Sequence, residues 1–304
     1  MMLKDNITIV LTDSGLGGIS VCAGIELKLR ANPCYKEVNL IFFNSHAEKG
    51  SGYNLMPSME RKAEVFDSAL EVMERKFSPD IILIACNTLS VVYPLTQFSK
   101  KTQTKVLGII DFGTEIISAE LARKPKAKAL ILGTKTTIGS NVHIDELVSK
   151  GVERERLYGK AMPDLESEIQ YSPHSSKVKQ MIRNYLGEAF KEIDYRGEFI
   201  FTALCCTHYG YSREVFEMSL SGLADGKYLI LNPNDSMINS VVSDCGEKNY
   251  QASRIKVEVV SRAVLDEEER KSISDIIREN APLTADALVN YINDKDLFYF
   301  RKET

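Results

Sequence analysis

Leu83-Ile84-Ala85-Cys86-Asn87-Thr88 and Ala203-Leu204-Cys205-Cys206-Thr207-His208 lie 120 positions apart, and each is an apolar run that ends in cysteine and polar residues. Each run reads as a buried strand that stops at its carboxyl end and opens a helix. A second pair repeats at nearly the same offset: Ile9-Val10-Leu11-Thr12-Asp13-Ser14-Gly15 and, 121 positions on, Leu130-Ile131-Leu132-Gly133-Thr134-Lys135-Thr136. Two strand ends recurring at one offset predict two similar α/β lobes, each presenting a polar loop and a cysteine at its sheet edge.

The rest of the chain fits that frame. Strands are expected at Ile7–Leu11, Val38–Phe43, Ile81–Ala85, Val106–Ile110, Ala129–Leu132, Phe199–Leu204, Tyr228–Leu231 and Ile255–Val260. Helical periodicity falls between them, over Gly17–Arg30, Pro57–Lys76, Leu89–Ser99, Ser176–Ile193, Asn234–Asp244 and Glu267–Asn280. Such alternation predicts mainly parallel sheets flanked by helices, with chemistry beyond the carboxyl ends of the strands. The basic stretch 122–128 reads as a surface turn, and Leu297 to Phe300 as a packed apolar end.

With 304 residues, at about 150 per domain, the chain has room for two lobes with a substantial core. Its net charge of −4 and lack of a basic patch argue against nucleic acid as a partner. No apolar run approaches the roughly 18 residues that span a bilayer. The N-terminus lacks the pattern of a secretory signal, so a cytoplasmic location and no membrane partner are expected. The six cysteines (Cys22, Cys34, Cys86, Cys205, Cys206, Cys245) are expected to be free thiols rather than a disulfide framework.

Taken singly, a strand-end cysteine is most often core. Two at equivalent ends of facing lobes would instead meet across a cleft. A thiol with a pKa near 8.5 can take or give a proton near neutral pH, and a helix start eases formation of the thiolate. Asn87, Thr88 and Thr207 add hydroxyl and amide groups at the same helix mouths, suited to a carboxylate. Gly15, Gly17 and Gly18 let backbone approach a ligand closely.

Four segments together resemble the glutamate racemase family in order and near-family spacing: Thr12–Gly18, Ala85–Thr88, Gly133–Ser140 and Cys206–Tyr209. The resemblance implies two lobes with the active site in the cleft between them, the first built from 1–108 plus about 213–304 and the second from 109–212. It implies cofactor-independent racemisation, L-glutamate to D-glutamate for peptidoglycan synthesis, with no metal and no cofactor. Cys86 and Cys206 resemble the acid–base pair. Asp13 and Ser14 resemble the pair beside the first cysteine and the substrate ammonium. Asn87, Thr88 and Thr207, with Thr134 and Thr137 of the third segment, match substrate-binding positions. His208 resembles the histidine that assists the second cysteine, and Cys205 is read as structural.

Two segments depart from the family pattern. Where the family has Pro-Tyr-Gly gripping the side-chain carboxylate, this chain has Glu48-Lys49-Gly50-Ser51-Gly52-Tyr53. Gly50, Ser51 and Gly52 are expected to offer N–H donors there, with Lys49 supplying charge. Where the family places a relay glutamate, the chain has Gln170, with Glu166 and Glu168 nearby. The expected partner is a small-molecule amino acid, and a homodimer is an admissible assembly. Competing readings are an aspartate racemase or a cysteine-dependent isomerase or decarboxylase of the same superfamily, and a non-catalytic amino-acid-binding protein. A metal site built from Cys86, Cys205, Cys206 and His208 is disfavoured, because adjacent cysteines are poor tetrahedral ligands.

Overall fold

A computed structural model of the protein describes residues 4–243 and 250–301. Among the described residues, ten strands form two parallel sheets: β1 (Asn6–Asp13), β2 (Glu37–Asn44), β3 (Ile81–Ile84), β4 (Lys105–Gly108), β5 (Lys128–Gly133), β6 (Leu157–Ala161), β7 (Ile200–Cys205), β8 (Tyr228–Leu231), β9 (Arg254–Ser261) and β10 (Ile292–Asn293). The larger sheet has the order β10-β9-β2-β1-β3-β4 and the smaller β6-β5-β7-β8. The order 2-1-3-4 thus occurs twice. β1 pairs with β3 through Thr12 opposite Ile84, and β5 with β7 through Gly133 opposite Cys205. The two sequence echoes are the adjacent central strands of each lobe.

All eight expected strands are present. β6 and β10 were not expected: each is a short edge strand, and β6 (Leu157-Tyr158-Gly159-Lys160-Ala161) carries a glycine and a lysine where buried strands carry branched apolar residues. One expected boundary needs correction. β8 follows position 213 yet pairs with β7 in the smaller sheet. By sheet membership, the chain returns to the larger sheet only after Leu231.

Helices cover both faces of the sheets. Helix Met59–Phe77 starts where the Ser58 hydroxyl accepts from Arg61 N at 3.2 Å and stops at Ser78 in the left-handed region. Its buried stripe (Ala63, Phe66, Leu70, Met73) packs with Val10, Ile41, Phe43, Leu297 and Phe298. Of the expected packed end Leu297 to Phe300, Leu297 and Phe298 are thus buried, whereas Tyr299 is exposed. The single helix expected at Leu89–Ser99 is broken into Asn87–Val92, a 3-10 turn Tyr93–Leu95 and Phe98–Lys101. Pro94 causes the break, since it has no N–H to donate and its ring clashes with the preceding turn. A continuous core joins the inner faces of both lobes, from Leu11 and Ile19 to Leu204 and Tyr209.

Cys22, Cys86, Cys205 and Cys206 are buried free thiols. Cys34 is disulfide-bonded, which corrects the expectation of free thiols throughout; Cys245 lies outside the described residues. Pairing depends on proximity in the fold, which sequence spacing does not reveal. Among the described residues no helix is long and apolar enough to cross a membrane.

Candidate active site

Each sheet reverses its strand order at its central pair, and a crevice opens beyond the carboxyl ends at such points. Asp13 ends β1, and Cys86 follows β3 as the residue capping helix Asn87–Val92. Thr134 follows β5, and Cys206 follows β7, capping the 3-10 turn Thr207–Ser212. The crevices face each other across a cavity of about 30 Å³. Asp13, Ser14, Cys86, Asn87, Thr88, Thr134, Cys206, Thr207 and His208 all line it.

The two thiols are both 6% exposed. Burial pushes the Cys86 thiol up to about 12, with the Asp13 charge adding to the effect and the Ser14 hydroxyl, 3.2 Å away, opposing it. Burial also holds Cys206 well above the ordinary thiol range, helped by the Glu166 charge and by Cys86 itself. Cys206 Sγ lies 3.8 Å from His208 Nδ1. On its far side, His208 Nε2 meets Gln170 Oε1 at 2.9 Å. Gln170 Oε1 also accepts from Leu16 N at 2.8 Å, while its Nε2 donates to Glu269. That leaves the carboxamide oxygen facing His208, so Nε2 carries the proton and Nδ1 presents its lone pair to Cys206. Burial lowers the His208 pKa, which favours this neutral form.

The polar residues sort by chemistry. Thr88, Thr134 and Thr137 form a hydroxyl cluster (3.0 to 3.5 Å) that ties the lobes together, and Thr137 reaches the cavity only through it. Asn87, 2% exposed, has neither amide atom paired. Thr207 Oγ1 donates to Asp13 Oδ2, leaving Asp13 Oδ1 buried and unpaired. One end of the cavity therefore offers hydroxyl and amide donors, and the other a carboxylate acceptor.

Gly50 and Gly52 lie elsewhere. They line a larger chamber of about 350 Å³ outside the cavity, which Ser51 does not line; Ser51 N is held by Glu48 O. The residue from that loop that reaches the inner cavity is Asn54, which had not been singled out. Its partner is Glu166: Asn54 Nδ2 donates to Glu166 Oε1 at 3.2 Å. Burial raises the Glu166 pKa, against its own backbone N–H and Asn54. Glu168 is turned outward and paired with Lys177. Asn54 stands directly after the Gly-Ser-Gly-Tyr stretch, and a polar residue behind a glycine-rich turn was the available signal. Cys205 is fully buried, its thiol pushed up to about 12 by burial alone. Among the described residues no group of three or more His, Cys, Asp or Glu is placed to hold a metal ion.

The glutamate racemase of Lactobacillus acidophilus is 25% identical over 239 residues, 77% of this chain and 79% of that one. The glutamate racemase of Chlorobaculum tepidum is 25% identical over 216 residues, covering 69% and 70% of the two chains. The solved glutamate racemase of Campylobacter jejuni superposes with a TM-score of 0.67 at 21% identity, over 91% of this chain and 99% of that one. This chain has the fold of the glutamate racemases. The Francisella tularensis glutamate racemase, solved with D-glutamate, also gives a TM-score of 0.67, at 18% identity over 95% and 97% of the two chains. No family model matches the sequence. The resemblance to glutamate racemases thus extends from four short segments to most of the chain.

Proposed function

We propose that this chain racemises an α-amino acid by a two-thiol route that needs no added cofactor. The observation that carries this reading is that Cys86 and Cys206, each at a strand end of a different sheet, line one cavity. One thiolate takes the proton from Cα, leaving a carbanion conjugated with the α-carboxylate. The other thiol gives its proton to the opposite face, so the product is the mirror image and the sulfurs have exchanged roles. Asp13 faces the substrate ammonium, and Asn87, Thr88 and Thr134 face the α-carboxylate, where charge builds in the transition state. Ser14 supports the Cys86 thiolate, and His208 Nδ1 receives the Cys206 proton.

Glutamate is the substrate that the relatives' names carry and the first to assay. A D-amino acid made in the cytoplasm for peptidoglycan synthesis is the role that the resemblance supports. The test is a single enantiomer in heavy water without added cofactor, followed by optical rotation and proton NMR. Cys86→Ala and Cys206→Ala should each stop turnover in both directions, and Cys205→Ala should leave it. Undiminished turnover in either of the first two, or a requirement for pyridoxal phosphate, overturns the proposal.

A further inference from the structure

The inner cavity and the outer chamber meet at a neck, where Ser14, Asn54, Glu166 and His208 belong to both walls. With the α-carbon between the two thiols, the carboxylate at the threonine cluster and the ammonium at Asp13, the neck is the direction left for the side chain. Asn54 and Glu166 close it with one hydrogen bond. That bond fixes the amide, because only Nδ2 can donate to a carboxylate oxygen. It leaves Asn54 Oδ1 and Glu166 Oε2 buried and unpaired.

With Glu166 ionised both of these atoms are acceptors, and a buried acceptor without a donor is costly until a ligand satisfies it. A side-chain carboxylate brings acceptors and negative charge to a neck that already holds both. An N–H-bearing end satisfies both oxygens. The chamber beyond carries the same sign: Asp164, Asp266 and Glu269 line it. Its lysine, Lys49, is 78% exposed at the side chain and sits 3.7 Å from Asp266. A cleft lined by one sign of charge concentrates the opposite sign.

We infer that the substrate side chain ends in N–H donors, as a carboxamide or an ammonium, and that Asn54 and Glu166 read it. This rests on the racemase reading for the placement of the α-carbon. It separates this chain in specificity from the relatives whose names specify glutamate.

The experiment measures binding by calorimetry and α-proton exchange by NMR in heavy water, on the whole protein, with glutamine, ornithine, lysine, glutamate and aspartate. Glutamine or one of the two cationic amino acids should bind about tenfold or more tightly than glutamate, and exchange faster. Which of them leads separates carboxamide from ammonium. Glu166→Lys should reverse the order in favour of glutamate. Glu166→Leu, checked for an unchanged melting temperature, should flatten it. Glutamate binding more tightly than all three overturns the inference, and if it also exchanges, the racemase reading stands. The expected binding order with no exchange leaves the specificity standing and removes the racemase reading. Binding of none overturns both.

Discussion

Thr207 Oγ1 donates to Asp13 Oδ2 at 2.7 Å, joining residues 194 positions apart across the two lobes. Both side chains are buried beside Cys86 and Cys206. Thr207→Val would remove the hydroxyl that donates to that carboxylate, whose other oxygen is unpaired among the described residues. Stability should fall by about 1–3 kcal/mol in denaturant unfolding, with a raised KM. Thr207→Ser keeps the hydroxyl and should restore most of both. A Val variant as stable and active as the parent would show that the bond contributes nothing.

The lobes approach closely at Gly17. A Cβ there would lie 2.3 Å from Thr207 Oγ1, 2.6 Å from His208 Nδ1 and 2.8 Å from the His208 backbone nitrogen. The last contact is with backbone, so no rotamer change relieves it. Gly17→Ala should therefore force the lobes apart and reduce kcat/KM by roughly a hundredfold, the scale at which a misplacement of about 1 Å acts. Gly187→Ala is the control: it lies in helix Ser176–Glu192 with nothing within 4 Å, and should stabilise by about 0.5–1 kcal/mol. Melting curves and steady-state kinetics on the pair check both.

Gln170 holds His208 in one tautomer from outside the cavity, so it is a positioning residue. Gln170→Glu puts a carboxylate where the carboxamide oxygen stands. That stabilises the imidazolium and raises the His208 pKa from its lowered position. A proton then blocks Nδ1 up to higher pH, so the acid limb of the kcat/KM profile should move to higher pH. Gln170→Leu should lower kcat without that displacement. Superimposable profiles for all three proteins would remove the tautomer argument.

The proposed two-thiol route also sets a pH dependence. With Cys86 pushed up to about 12, and Cys206 also raised, the free enzyme near neutrality holds both as thiols. The thiolate fraction then grows about tenfold for each pH increment of one below that value. In the direction in which Cys86 is the base, log kcat/KM should rise with unit slope through the neutral range, until the substrate ammonium deprotonates. A flat profile from pH 6 to 8 would mean that a thiolate is already present in the resting enzyme.

Cys22 and Cys205 act on stability instead. Burial pushes both up to about 12 from an ordinary 9.0. Between those values the folded chain keeps protons that the unfolded chain has lost, so stability falls as pH rises. Their contribution is fully present below pH 9 and is lost on approaching 12. Denaturant unfolding at pH 8 and pH 11 should show a smaller drop in Cys22→Ala/Cys205→Ala than in the parent. An equal drop would assign the alkaline loss to other groups.

The sequence by itself determined the repeated architecture and where its chemistry stands. Apolar runs of strand length, each cut off by Asp-Ser-Gly, Cys-Asn-Thr or Cys-Thr-His, mark strand ends, because local chain chemistry sets where a buried strand stops. Their common offset exposed the duplication, and the structure returned it as the order 2-1-3-4 in both sheets. The break at Pro94 is also written locally, in the missing N–H of the proline. Other features are not local. β8 joins the smaller sheet although it lies beyond the second cysteine, because sheet membership depends on which neighbour a strand meets. Asn54 and Glu166 are 112 positions apart, and nothing near either one announces the other. Gln170 gains its meaning only where Leu16, His208 and Glu269 converge on one carboxamide. Strand ends follow from the order of residues along the chain, whereas the neck and the histidine tautomer follow from how two lobes are set against each other, which is decided by packing across the cleft.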